Sequence, residues 1–178
     1  MKEEKAVLFT GLLFHEEIYL NEARQRLLNL FGKVLFESPT FDWDYSEYYR
    51  AELGWPIKRS FIFFDGLINS ETLPDIKLLT REIEGSLSQD GRRSINIDPG
   101  YLTLSKVVLA STKNYSHRIY MGKGIFAEVT LIFRNKRYRP HLFTYRDYAS
   151  DSYIDIFMKA RQHLINTIQP YSLEHTSG

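Results

Sequence analysis

An α+β fold is predicted for this 178-residue chain. It is a mainly antiparallel sheet with a ferredoxin-like βαββαβ first half, an added β-hairpin and a C-terminal helix. Three observations predict it. Across roughly the first hundred residues, strand-length apolar runs and helix-period stretches alternate as strand-helix-strand-strand-helix-strand, the order of a split βαβ unit whose two helices cover one face. A stretch from His117 to Phe133 reads as two strands joined through Gly122-Lys123-Gly124. Near the carboxyl end, apolar residues recur every three or four positions, as on a buried helix face.

Each element has its own justification. "KAVLFTGLLF" is a continuous apolar run and reads as a buried strand. "HEEIYLNEARQRLLNLFG" follows as a helix, with Tyr19, Ala23, Leu27 and Leu30 on one stripe and Gly32 where a left-handed cap belongs. "KVLFES" is the second strand, and "PTFDWDYSEYYRAELGWP" is an irregular acidic-aromatic segment. "RSFIFFDGL" is the third strand. In the next helix Thr72 caps, Pro74 takes an early position, and Ile76, Leu79, Ile83 and Leu87 share a face. "SINID" is the fourth strand, ended by an Asp98-Pro99-Gly100 turn. The segment Thr103 to Ser111 reads as helix or strand, because Thr103 suits a cap and Val107-Val108 suit a sheet.

On the hairpin, Ile125, Ala127, Val129, Leu131 and Phe133 alternate toward one face. A three-residue loop from Gly122 to Gly124 sets Met121 opposite Ile125, Tyr120 beside Phe126 and Arg118 beside Glu128. "RYRPHLF" is a further strand after a turn at Asn135 and Lys136. Ser152 and Asp155 form a capping pair for "YIDIFMKARQHLINTIQ", whose stripe is Tyr153, Phe157, Ala160, Leu164 and Ile168. The expected core is Val7, Phe9, Leu27, Ile62, Phe64, Ile83, Val129, Leu131, Phe157 and Leu164. One domain spans 1–178, with 173–178 a flexible tail.

Composition excludes several function classes. The absence of cysteine removes disulfides, thiol nucleophiles and cysteine-ligated metals. No run reaches the ~20 apolar residues of a membrane helix. The amino end does not resemble a signal peptide, so no membrane association and a cytoplasmic location are expected. No Walker loop, nucleophile elbow or His-Glu-x-x-His spacing occurs, and the sequence leaves the cofactor unknown. Net charge is near zero, yet residues 1–90 hold 10 Lys/Arg against 16 Asp/Glu, and residues 91–178 hold 13 against 6. Such polarity makes a basic face for an anion, or lets one half of the fold complement the other.

The chemistry-bearing residues gather in "TKNYSHRIYMGKG" and just before it. Arg118 and Glu128 face each other across the hairpin and need be no more than a salt bridge. Lys113 and His117 lie in the approach to the strand, where functional groups collect. Lys123 at the tip is solvated charge. A helix beginning at Thr103 would offer free amides and Lys106 to a phosphate or carboxylate, with Asp98 opposing an anion there unless Lys106 or a metal compensates it. Arg134, Lys136, Arg137 and Arg139, interleaved with Tyr138, suit nucleic-acid contact or plain edge-strand protection. Asp42, Asp44 and Glu47 among the rings of residues 41–49 suit a divalent ion, a basic peptide or a packed loop.

The line "NIDPGYLTLSKVVLASTKNYSHRIYMGKGIFAEVTL", with the "GLLF" strand and the "ESPTF" segment, resembles an uncharacterised prokaryotic family catalogued only as a domain of unknown function. The resemblance covers about residues 6–160, and 96–131 is its distinctive part. It implies a shared site around Asp98, Lys106, Lys113, His117, Arg118 and Glu128 without assigning it a chemistry. The expected function is a binding domain for a phosphate-bearing small molecule of nucleotide type. The alternatives are a phosphoester- or nucleotide-processing enzyme using His117 and Glu128, and a protein-interaction module using the loop 41–49.

Overall fold

The computed structural model describes residues 3–168, so the expected tail lies outside the described residues. The strands β1 (Lys5–Phe14), β2 (Val34–Glu37), β3 (Phe41–Trp43), β4 (Ile57–Asn69), β5 (Ile95–Leu102), β6 (Lys106–Ser111), β7 (Ile119–Gly122), β8 (Ile125–Arg134) and β9 (Arg137–Arg139) make one sheet. The helices are α1 (Glu17–Phe31), α2 (Arg50–Leu53), α3 (Leu73–Ser86) and α4 (Asp151–Ile168). The architecture is α+β, and every strand pairing is antiparallel. Strand order is β2-β4-β1-β5-β6-β8-β7, with β3 also on β4 and β9 on β8. None of the described helices is long and apolar enough to cross a membrane.

Period-two alternation sorts the central strands into two cores. Leu8, Leu12, Phe14, Ile62 and Phe64 meet Ala23 and Leu27 of α1 and Ile76 and Ile83 of α3. Val7, Phe9, Phe61 and Phe63 face the other way and meet Phe157, Ala160 and Leu164 of α4. Helices therefore cover both faces of the sheet. Burial on both sides explains why β1 reads as an unbroken apolar run. Of the ten expected core residues, all but Val129 are buried.

The structure corrects several local readings. The Asp98-Pro99-Gly100 segment is strand and makes no turn. Pro99 lies opposite Thr10 of β1, and β6 begins to pair only at Gly100, so the missing N–H interrupts no ladder on that side. A side chain at Gly100 would run into the Val108 carbonyl and the Phe9 ring. The segment after Thr103 forms no helix. The Thr103 N–H donates to the Lys106 carbonyl at 2.9 Å, a tight turn that feeds β6 directly, and the anion site imagined at a helix amino end is absent.

The hairpin differs in detail as well. Tyr120 does oppose Phe126, with ring centroids 5.2 Å apart. Met121, however, is the extra residue of a bulge, Gly122 opposes Ile125, and Lys123-Gly124 form a two-residue turn with φ of 56° and 75°. A second irregularity interrupts β8, where β6 pairs Leu131 and then Val129 on consecutive residues. Thr130 becomes the extra residue, Val129 is left 37% exposed, and Leu131 joins the α4 core. At α4 the capping hydroxyl is Ser150, which accepts from the Tyr153 N–H at 3.4 Å, and the helix starts at Asp151 before Ser152.

Candidate functional site

The partial pairing of β5 with β6 creates the site. Only Gly100, Tyr101 and Leu102 pair with β6. Upstream the two strands part, and side chains of α3 satisfy the freed edge. Lys77 Nζ donates to the Ile97 carbonyl at 2.9 Å, and Glu84 Oε1 accepts from the Ile97 N–H at 2.5 Å. Both side chains are buried. Burial pushes the Glu84 carboxyl above its ordinary value, against the pull of Lys77 and the Ile97 N–H. A cleft of about 680 Å³ opens here, bounded by α3, the 43–49 segment, the ends of β5 and β6, and the segments 111–118 and 145–148.

One wall of the cleft is a connected polar chain. Arg93 makes a bidentate pair with Glu52 (both 2.7 Å) and donates to Asn96 Oδ1 at 2.7 Å. Asn96 Nδ2 in turn donates to Asp98 Oδ2 at 2.8 Å. Arg59, only 3% exposed, bridges Asp98 Oδ2 at 3.3 Å and Asp147 Oδ2 at 3.2 Å. Trp43 Nε1 donates to the same Asp147 oxygen at 2.9 Å. The charge-assisted bonds from Arg93 hold the Glu52 carboxyl below its ordinary value. Within this chain Asp98 is partly open, its side chain 26% exposed, as are Arg93 and Glu52 at 28% each.

The opposite wall is organised by Arg118. Its Nε donates to Glu128 Oε2 at 2.6 Å, its Nη1 to Ser111 Oγ at 2.7 Å and the Lys113 carbonyl at 2.9 Å, and its Nη2 to the Tyr145 hydroxyl at 2.5 Å. Burial, and then the Glu128 carboxylate, push Tyr145 up to about 12. It is a neutral phenol that accepts from Arg118 and keeps its own proton to donate. Because β7 begins at Ile119, His117 precedes the strand and is not forced to the face opposite Arg118. His117 Nε2 lies 3.1 Å from Glu128 Oε2, and its ring stacks on Phe143 at 4.6 Å.

Most residues singled out from the sequence come together. Asp98, Lys113, Arg118 and Glu128 all line the cleft, and so do Trp43, Tyr45, Tyr48 and Tyr49 of the acidic-aromatic loop. Two separate sequence features thus form one site. His117 supports the wall from behind and is not among the lining residues. Lys106 lies apart on β6 and pairs with Glu4 at 3.1 Å. Arg134, Lys136, Arg137 and Arg139 sit on the β8–β9 hairpin outside the cleft, with Arg137 paired to Asp151 and Asp155. Among the described residues no acidic and histidine group is spaced to hold a metal ion.

Sequence reasoning missed Arg59, Arg81, Arg93, Tyr145 and Arg146. Arg59 carried a readable signal, since a lone guanidinium in a strand buried on both faces requires partners. The others lie in ordinary polar surroundings, and only tertiary packing places them here. Arg81, Lys113 and Arg146 are the distinctive trio. Each lines the cleft and has no carboxylate partner among the described residues, and Lys113 Nζ sits 4.6 Å over the Tyr48 ring. Arg59, Arg93 and Arg118, by contrast, are held in ion pairs.

The model of the family described as "Domain of unknown function (DUF4416)" matches residues 4–164. No curated protein and no solved structure gives a significant match.

Proposed function

We propose that this chain, which belongs to the DUF4416 family of unknown function, is a binding domain for a phosphate-bearing small molecule of nucleotide type, held in the cleft between α3 and the 43–49 segment. The observation that carries this reading is the trio Arg81, Lys113 and Arg146, three cations on one concave surface without carboxylate partners among the described residues. Uncompensated charge of one sign in a walled cleft focuses a field that draws in counter-charged ligand. Arginine and lysine together are suited to phosphate, as a planar fork and as a point charge. Tyr45, Tyr48 and Tyr115 add aromatic surface on which a planar ring can stack. The volume of about 680 Å³ suits a ligand of that size.

The test is a thermal-shift and calorimetric screen with nucleotides, phosphorylated metabolites, pyrophosphate and divalent ions. At ~100 times its dissociation constant a ligand adds about 2.7 kcal/mol of stability. For a chain of this size that corresponds to roughly 5–10 °C in Tm. Lys113→Ala with Arg146→Ala should weaken binding at least about tenfold without unfolding the protein, and added salt should weaken wild-type binding. If no phosphate compound shifts the wild-type Tm, the reading is wrong.

A further inference from the structure

Resting on that reading of the cleft as an anion site, we propose that Asp98 is a specificity residue that selects ligands bearing a vicinal diol, so that the site takes ribonucleotides in preference to bare phosphates. A carboxylate on the wall of a phosphate site works against the phosphate, and although Arg59 balances the charge through Oδ2, the other oxygen still faces the cleft. Here its surroundings are built with care. Asp98 Oδ2 accepts from Asn96 Nδ2 at 2.8 Å and from Arg59 Nη1 at 3.3 Å, while Oδ1 has no hydrogen bond among the described residues. Asn96 is oriented by Arg93, and Arg93 by Glu52, so the carboxylate is fixed in direction before any ligand arrives.

The free oxygen is an acceptor only, and it is matched by a ligand group that donates. An ammonium and a hydroxyl are among the donors that fit a carboxylate. Arg81, Lys113 and Arg146, which have no carboxylate partner among the described residues, disfavour a further cation in the cleft, whereas a neutral diol meets no such repulsion. Tyr145, whose hydroxyl accepts from Arg118, has a proton to offer a ligand oxygen on the facing wall. The ligand that satisfies both walls carries phosphate toward Lys113 and Arg146 and a diol toward Asp98.

Asp98→Asn abolishes the selection by a predictable route. Arg59 and Asn96 are both donors, so the substituted amide must turn its oxygen to them and present its NH2 to the cleft. Isothermal titration of the full chain with ATP, GTP, CTP and UTP singly, with their 2′,3′-dideoxy counterparts, and with pyrophosphate tests the idea. In the wild type at least one ribonucleotide should bind roughly 10–100-fold more tightly than its dideoxy counterpart, the range for a hydrogen bond to a charged group. In Asp98→Asn that ratio should fall to about one while pyrophosphate affinity is unchanged or improved. Equal wild-type affinity for ribo and dideoxy forms would overturn the assignment of Asp98 and leave the anion site standing, and so would pyrophosphate binding without any ribonucleotide binding. Failure of every phosphate probe would remove both. The wild-type comparison can still overturn the assignment even if Asp98→Asn folds poorly.

Discussion

Arg118 directs its guanidinium into the protein, at Glu128, Ser111, the Lys113 carbonyl and Tyr145, and both members of its ion pair are almost fully buried. Removing one partner of such a pair leaves the other charge without compensation in a poorly solvated place, at a cost of about 3–5 kcal/mol. Arg118→Ala should therefore lower unfolding stability by that amount in a urea titration. Arg118→Lys should recover only part of it, because an ammonium cannot reproduce the fork. A loss below about 1 kcal/mol for Arg118→Ala would show that the pair is not what holds the 111–118 segment. The pairing of Arg118 with Glu128 was legible in the sequence, because it follows from hairpin register and period-two alternation. The bond to Tyr145, 27 positions away, was not legible.

At the scale of elements, α3 and β5 show a helix replacing a missing strand neighbour. Helix periodicity identifies Ile76 and Ile83 as the apolar stripe, and both pack on the sheet. Lys77 and Glu84 would be assigned to the wet side by the same pattern, yet they are buried on the Ile97 backbone. Their contribution has a definite pH signature. The folded pKa of Glu84 is raised, chiefly by burial, so its contribution favours the folded state at acid pH and is lost as pH rises through that raised value. Glu52 has the opposite sign. Its folded pKa is lowered by Arg93, so its contribution is present above the ordinary carboxylate range and is lost as pH falls through the lowered value. Relative to Glu84→Gln, the wild type should gain stability as pH falls from about 7 toward the ordinary carboxylate range, while the deficit of Glu52→Gln should persist over that descent and shrink only as pH falls below that range. Denaturant titrations that run parallel at all pH values for these three proteins would contradict the assignment.

At the scale of the molecule, the core under α4 joins residues of β1 and β4 from the first half of the chain to residues of β6, β8 and β9 from the second. The acidic first half and basic second half are joined by ion pairs that cross between them, Arg93 with Glu52, Arg59 with Asp147 and Lys106 with Glu4 among them. Such interleaving leaves no seam along which part could open alone, and we expect a single unfolding transition with calorimetric and van't Hoff enthalpies in agreement. Two resolved transitions would show that the sheet divides. By itself the sequence determined the fold class, the two long helices beneath the sheet, the closing helix and the approximate places of the turns at Lys123-Gly124 and Asn135-Lys136. These depend on periodicity and on turn-forming residues, which act over a few neighbours. Only the tertiary structure decided that Pro99 lies within a strand, that Thr130 reverses the parity of β8, and that Arg81, Lys113 and Arg146 share one cleft with the tyrosines of 43–49. Each of those outcomes depends on which strand lies alongside, on where its pairing stops, and on what fills the gap. Contacts between residues distant in the chain set these things, and local patterns carry no record of them.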